Sequence, residues 1–129
     1  MNVCSYIYSN PMTDRVRSTL LGYDISVSSP TLAQTFDLFC VAAKQLKNTA
    51  ESDLAVLYGN FKQVNHGNNT STEPWFYEFV ALEKWRAWTA CKDKSREDAM
   101  YDYCTKVEQL LVEQYGVEKS AHILQNIAT

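Results

Sequence analysis

The sequence predicts an all-α protein, a compact bundle of four antiparallel amphipathic helices, and three observations carry that prediction. Gly and Pro are scarce among the 129 residues, at 4 and 3, which leaves too few turn signals for a many-stranded sheet. Four stretches repeat apolar residues at helical spacing. The connections between them are short apart from one, and short connections join antiparallel neighbours.

Residues 1–12 show no usable period. Thr13 to Leu21 can form a short helix, with Thr13 as cap, Val16 and Leu20 on one face and Gly22 as stop; it is too short to persist without docking. Ser29-Pro30 opens the first of the four helices, about 30–47, with Ser as cap and Pro at the first helical position. Phe36, Phe39, Cys40, Ala43 and Leu46 form its apolar stripe. Asn48 stands three residues before Glu51, like a capping box, and predicts the start of the second helix. Leu54, Leu57, Tyr58, Phe61 and Val64 are its stripe, and residues 66–74 read as a loop ending at Pro74.

Trp75-Phe76-Tyr77 leads into the third helix, where Phe79, Leu82, Trp85 and Trp88 are expected to face inward. Thr89 to Lys94 is the next break. Ser95, with Asp98 three residues on, caps the fourth helix, and Glu97 and Asp98 suit its positive end. Ala99, Met100, Tyr103, Val107, Leu110 and Leu111 carry its stripe, and Gly116 stops it. Residues 117–129 can add one weak turn or helix around Ala121 to Ile127.

Apolar residues make up 46% and charged residues 21%, a balance that supports one domain with a buried core. The net charge of −3 lies entirely in residues 36–115, which hold 9 basic and 12 acidic side chains. Such a chain is a poor nucleic-acid binder, and any anion must be held by a few placed lysines. Cys4, Cys40, Cys91 and Cys104 form no C-x-x-C pair, and neither His66 nor His122 stands at zinc-ligand spacing from them. They read as reduced thiols, most on packed faces, with no metal and no cofactor expected. There is no 18-residue apolar run for an integral membrane segment, and the first 20 residues lack the pattern of a secretory signal. A monomer in a reducing compartment, the cytoplasm, is expected.

No G-x-S-x-G, Walker loop, H-E-x-x-H or G-x-G-x-x-G occurs, so no catalytic residue is assigned and an enzyme is not expected. Tyr58 and Lys62 share a helix face at the edge of an apolar stripe, where a hydroxyl and an ammonium could hold a phosphate. On spacing alone the plainer reading, a half-buried tyrosine beside a solvated lysine, is favoured. Lys84 beside Trp85, and Tyr103 on the fourth stripe, likewise read first as surface charge and core aromatic. The residues by themselves reach a four-helix domain without an evident active site.

Three blocks resemble the acyl-CoA-binding protein family. Tyr58-x-x-Phe61-Lys62-Gln63 is similar to the family's Y-x-x-[FY]-K-Q, Lys84-Trp85-x-x-Trp88 to K-W-x-x-W, and Ser95-Arg96-Glu97-x-Ala99-Met100-x-x-Tyr103 to S-[KR]-E-x-A-M-x-x-Y. The spacing between the blocks is unbroken, and Gly67 and Pro74 fall where the family's loop has G and P. The resemblance covers residues 36–115. It implies an up-down-down-up four-helix bundle at 30–116, with short extensions at 1–29 and 117–129. It also implies a carrier and pool former for long-chain fatty acyl-CoA esters, which needs no catalytic group and serves acyl-CoA-using enzymes. The residues it assigns to the CoA headgroup are Tyr58, Lys62, Lys84 and Tyr103, with Lys44 a further basic position. Cys40, Leu54 and Ala55 match positions along the adenine or acyl path. Val80 and Leu82 stand where many members have lysine, Glu83 adds a negative charge, and Trp75 and Phe76 add aromatic bulk. The competing reading is a helical protein–protein interaction module that kept the fold and lost the ligand.

Overall fold

A computed structural model describes residues 32–128. The proposed helix at 13–21 and the Ser29-Pro30 start lie outside the described residues. Four α-helices follow in order: α1 Leu32–Ala42, extended by a 3₁₀ turn Ala43–Gln45; α2 Glu51–His66; α3 Phe79–Thr89; and α4 Arg96–Ala128, which breaks at Gly116. No strand occurs among the described residues.

The ends follow local chemistry in part. The Ser95 Oγ accepts the Asp98 N–H at 3.0 Å, so Ser95 caps α4 as the sequence predicts. Gly116 sits at φ 82 and ψ 166, a conformation only glycine adopts freely, and ends the first arm of α4. The chain then resumes as a helix over 117–128, longer than the weak turn or helix expected around Ala121 to Ile127. Its Ser120, Ala121 and Leu124 are buried, and Leu124 joins the main core. Asn48, by contrast, does not cap α2. It takes a left-handed conformation at φ 51, and α2 starts after Ala50 without a side-chain cap. Asn tolerates that conformation, so the residue serves the turn instead of the helix.

Contacts set the helix directions. Phe36 meets Tyr103 near the start of α1 and α4 (ring centroids 5.1 Å apart). At the far ends the Lys47 N–H donates to Gln114 at 2.9 Å and the Tyr115 hydroxyl to the Gln45 carbonyl at 2.6 Å, so α1 and the first arm of α4 are parallel. Asp53, early in α2, pairs with Lys106 at 3.2 Å, whereas Asn60 and Gln63 reach back to Lys94; α2 runs opposite to α4. Tyr58 beside Lys84 and His66 beside Trp88 show α3 running parallel to α2. The result is the up-down-down-up bundle.

Parallel neighbours need a long return, and residues 67–78 supply it. The two tryptophans of α3 clip this loop down: the Trp85 indole N–H donates to the Ser71 carbonyl at 3.0 Å and the Trp88 indole N–H to the Gly67 carbonyl at 2.8 Å. The core sits between α1, α2 and α4, with Phe39, Met100, Val107, Leu111 and Leu124 fully enclosed. Only Leu82 of α3 is buried. The inward placement expected for Phe79 is therefore wrong: it is 72% exposed, and Trp85 and Trp88 are half-buried. Helix α3 packs mainly on α2, which leaves its first turn without a covering layer.

Candidate functional site

The space between α2 and α3 is a cavity of about 550 Å³, reached by Tyr103 from α4. Gly59 brings the two helices together. A side-chain carbon there would collide with the Ala87 backbone carbonyl. Away from this contact, part of the apolar stripe of α2 meets the cavity instead of a packed partner. Leu54 and Phe61, expected in the core, are 49% and 41% exposed and form the cavity wall, with Val80 and Ala87 opposite. Apolar side chains lining a concavity point to an apolar occupant.

The polar groups converge at this wall. Tyr58, Lys84 and Tyr103 all line the cavity, with Leu54 and Ala55. The Lys84 Nζ lies 5.7 Å from the centre of the Tyr58 ring. Lys62 is not among the lining residues; its Nζ rests 4.7 Å over the Trp88 ring. Lys44 is exposed on the 3₁₀ turn, away from the lining. Cys40 is not among the lining residues; it lies beside Tyr103. Glu83, expected beside the headgroup, and Glu51, which sequence reasoning did not place in the site, share the wall with Lys84. The signal for Glu51 was its spacing, three residues before Leu54 and seven before Tyr58, which puts it on the same face of α2.

Tyr103 is the pivot of an aromatic trio. Its ring meets Phe36 edge-on at 5.1 Å and Phe61 at 6.2 Å. Burial raises its hydroxyl pKa, with Cys40 and Cys104 adding to the effect, so it stays a neutral donor. Burial likewise pushes the Cys40 thiol up to about 11, against a lowering from its Tyr103 hydrogen bond. Cys104 and Cys91 are raised by burial too. These thiols are protonated near neutrality and poor nucleophiles. No cluster of His, Cys, Asp and Glu able to hold a metal occurs among the described residues, and no described helix is long and apolar enough to cross a membrane.

Gln63 of the second-helix motif is a structural clamp. It is buried, and its amide donates to Asn68 Oδ1 at 2.9 Å and to the Lys94 carbonyl at 3.0 Å. Lys94 in turn donates to Asn60 at 2.8 Å and pairs with Asp102 at 2.7 Å. This network fixes the end of α2 against the turn into α4, and so fixes the depth at which Tyr103 enters the cavity.

The family model described as Acyl CoA binding protein matches residues 33–107. Acyl-CoA-binding domain-containing protein 2 of Oryza sativa subsp. japonica is 42% identical over 83 residues, covering 64% of this chain and 91% of that protein. The acyl-CoA-binding protein of Ricinus communis is 40% identical over 83 residues, covering 64% and 92%. The crystal structure of Oryza sativa acyl-CoA-binding protein 2 superposes with a TM-score of 0.63, over 64% of this chain and 91% of that one at 42% identity. The Moniliophthora perniciosa structure, at 23% identity and TM-score 0.64 over 73% and 92%, supports the fold.

Proposed function

The chain belongs to the acyl-CoA-binding protein family, and from that membership we propose that it binds long-chain fatty acyl-CoA esters without altering them. The observation that carries the reading is the pairing of an apolar wall with a converging polar edge in one cavity: Leu54, Ala55 and Phe61 beside Tyr58, Lys84 and Tyr103. The acyl chain occupies the wall between α2 and α3, where each buried methylene contributes about 0.8 kcal/mol. The charged headgroup lies along Tyr58, Lys84 and Tyr103, with Lys62 swinging from Trp88 to join it and Lys44 reaching from α1. The binding domain is residues 30–116, flanked by extensions at 1–29 and 117–129. The protein acts as a cytoplasmic, monomeric carrier and pool former that yields its ligand to acyl-CoA-using enzymes.

Calorimetric titration with a saturated acyl-CoA series tests this. Affinity should rise steeply with chain length and be far weaker for free CoA. Equal affinity for free CoA and a long-chain ester would remove the acyl chain from the account. A second reading, a helical interaction module that has lost the ligand, is favoured by one observation. Glu51 and Glu83 outnumber Lys84 on the wall, and Val80 and Leu82 add no positive charge. Native mass spectrometry with and without a long-chain acyl-CoA separates the two.

A further inference from the structure

Residues 75–80 hold the largest cluster of uncovered apolar side chains among those described. Trp75, Phe76, Tyr77, Phe79 and Val80 are between 59% and 78% exposed. The turn that presents them is fixed. The Trp75 N–H donates to the Glu78 carboxylate at 2.8 Å, and the Glu78 N–H donates back to the Trp75 carbonyl at 2.9 Å. The Trp75 and Tyr77 rings stack at 6.3 Å with 10° between planes, and Phe76 abuts Tyr77 edge-on at 5.5 Å. A segment held this way keeps its apolar side chains in water at a standing cost, which marks an interaction surface.

We propose that this turn docks the protein on the interface of a zwitterionic phospholipid bilayer. Three features of the patch select that occupant. First, its aromatic side chains have apolar bodies with polar tips: the Trp75 indole N–H and Tyr77 hydroxyl donate to no described residue, whereas the Trp85 and Trp88 indoles are both engaged. Amphipathic rings with unengaged tips settle at the headgroup level of a membrane. Second, residues 73–83 carry three carboxylates, Glu73, Glu78 and Glu83, and no cation. An anionic leaflet would repel them, which leaves a neutral surface such as phosphatidylcholine. Third, Val80 belongs both to the patch and to the cavity wall. A docked patch therefore sets one rim of the cavity against the acyl region of the bilayer. The docking does not depend on the ligand reading and is measured on ligand-free protein.

The test is co-sedimentation of the full-length chain with phosphatidylcholine vesicles, for the wild type and for Trp75→Ser/Phe76→Ser, with circular dichroism melts of both. Wild type should partition onto the vesicles. The double variant should lose at least ~tenfold in partitioning, since two side chains leave the apolar phase. Its melting should be unchanged, because both positions are exposed. Brominated phosphatidylcholine should quench tryptophan emission in the wild type and not in the variant, and replacing part of the phosphatidylcholine with phosphatidylserine should weaken binding. The proposal is overturned if wild type stays in the supernatant or the variant binds equally. Binding that requires phosphatidylserine and vanishes in salt overturns it too, as does a wild-type dimer, lost in the variant, that identifies the patch as a contact between copies. None of these outcomes touches the acyl-CoA titration.

Discussion

The Lys84 ammonium stands 5.7 Å over the Tyr58 ring, joining α3 to α2 across the mouth of the apolar cavity. Four residues along α2, Lys62 makes the equivalent contact with Trp88 at 4.7 Å. Two lysines on opposite helices each rest on an aromatic of the other helix.

Lys84→Ala should weaken long-chain acyl-CoA binding by about 1.5–3 kcal/mol, the range for hydrogen bonds to a charged group. Lys62→Ala should cost less, because Lys62 lies outside the cavity lining and must leave Trp88 to reach the headgroup, whereas Lys84 already lines the cavity. Calorimetry on both variants checks the order. Equal affinity to wild type for Lys84→Ala would remove it from the site.

Leu54 separates binding from folding. It is half exposed and lines the cavity. Leu54→Asp should leave the thermal midpoint within a few degrees of wild type and flatten the gain in affinity with acyl chain length. A steep loss of stability instead would place Leu54 in the folding core.

Gly59→Ala should destabilise by about 1–3 kcal/mol, as overpacking does, because the added carbon meets the Ala87 backbone, which cannot rotate aside. Urea unfolding reads this directly. A neutral result would mean that α2 and α3 separate easily, and the cavity with them.

Leu124→Ala should cost about 2–4 kcal/mol, since Leu124 is fully enclosed by the bundle. The measurement decides whether the arm after Gly116 is part of the cooperative domain. A change below about 0.5 kcal/mol, the level of a surface substitution, would assign it to a dispensable extension.

Alkaline pH should destabilise the fold through Cys40. Its thiol is raised from 9.0 to about 11 in the folded state, chiefly by burial. The folded chain therefore holds the proton more tightly than the unfolded one. That contribution is complete below pH 9 and is lost as pH rises towards about 11. Denaturation midpoints of wild type should fall over this window, and those of Cys40→Ala should fall less. Tyr103 and Cys104 shift in the same direction and keep part of the slope in the variant.

Helix positions were legible because their signals are local. Ser95 and Asp98 close a cap within one turn, Gly116 supplies a conformation other residues avoid, and the stripe of α4 is buried wherever its spacing indicated. Asn48 misled for a local reason as well, since the same side chain suits a cap and a left-handed turn. The amino-acid order thus determined where the helices lie, the ends at Ser95 and Gly116 and, through three spaced motifs, the family. Only packing decided which apolar residues would meet a core and which would meet a void. Leu54, Phe61 and Phe79 have the same periodicity as Leu57, Val64 and Leu82, yet the first three are exposed and the others buried. Periodicity reports the direction of a side chain and not what lies in front of it. That is set by the close approach at Gly59, the length of the return loop and the depth of Tyr103.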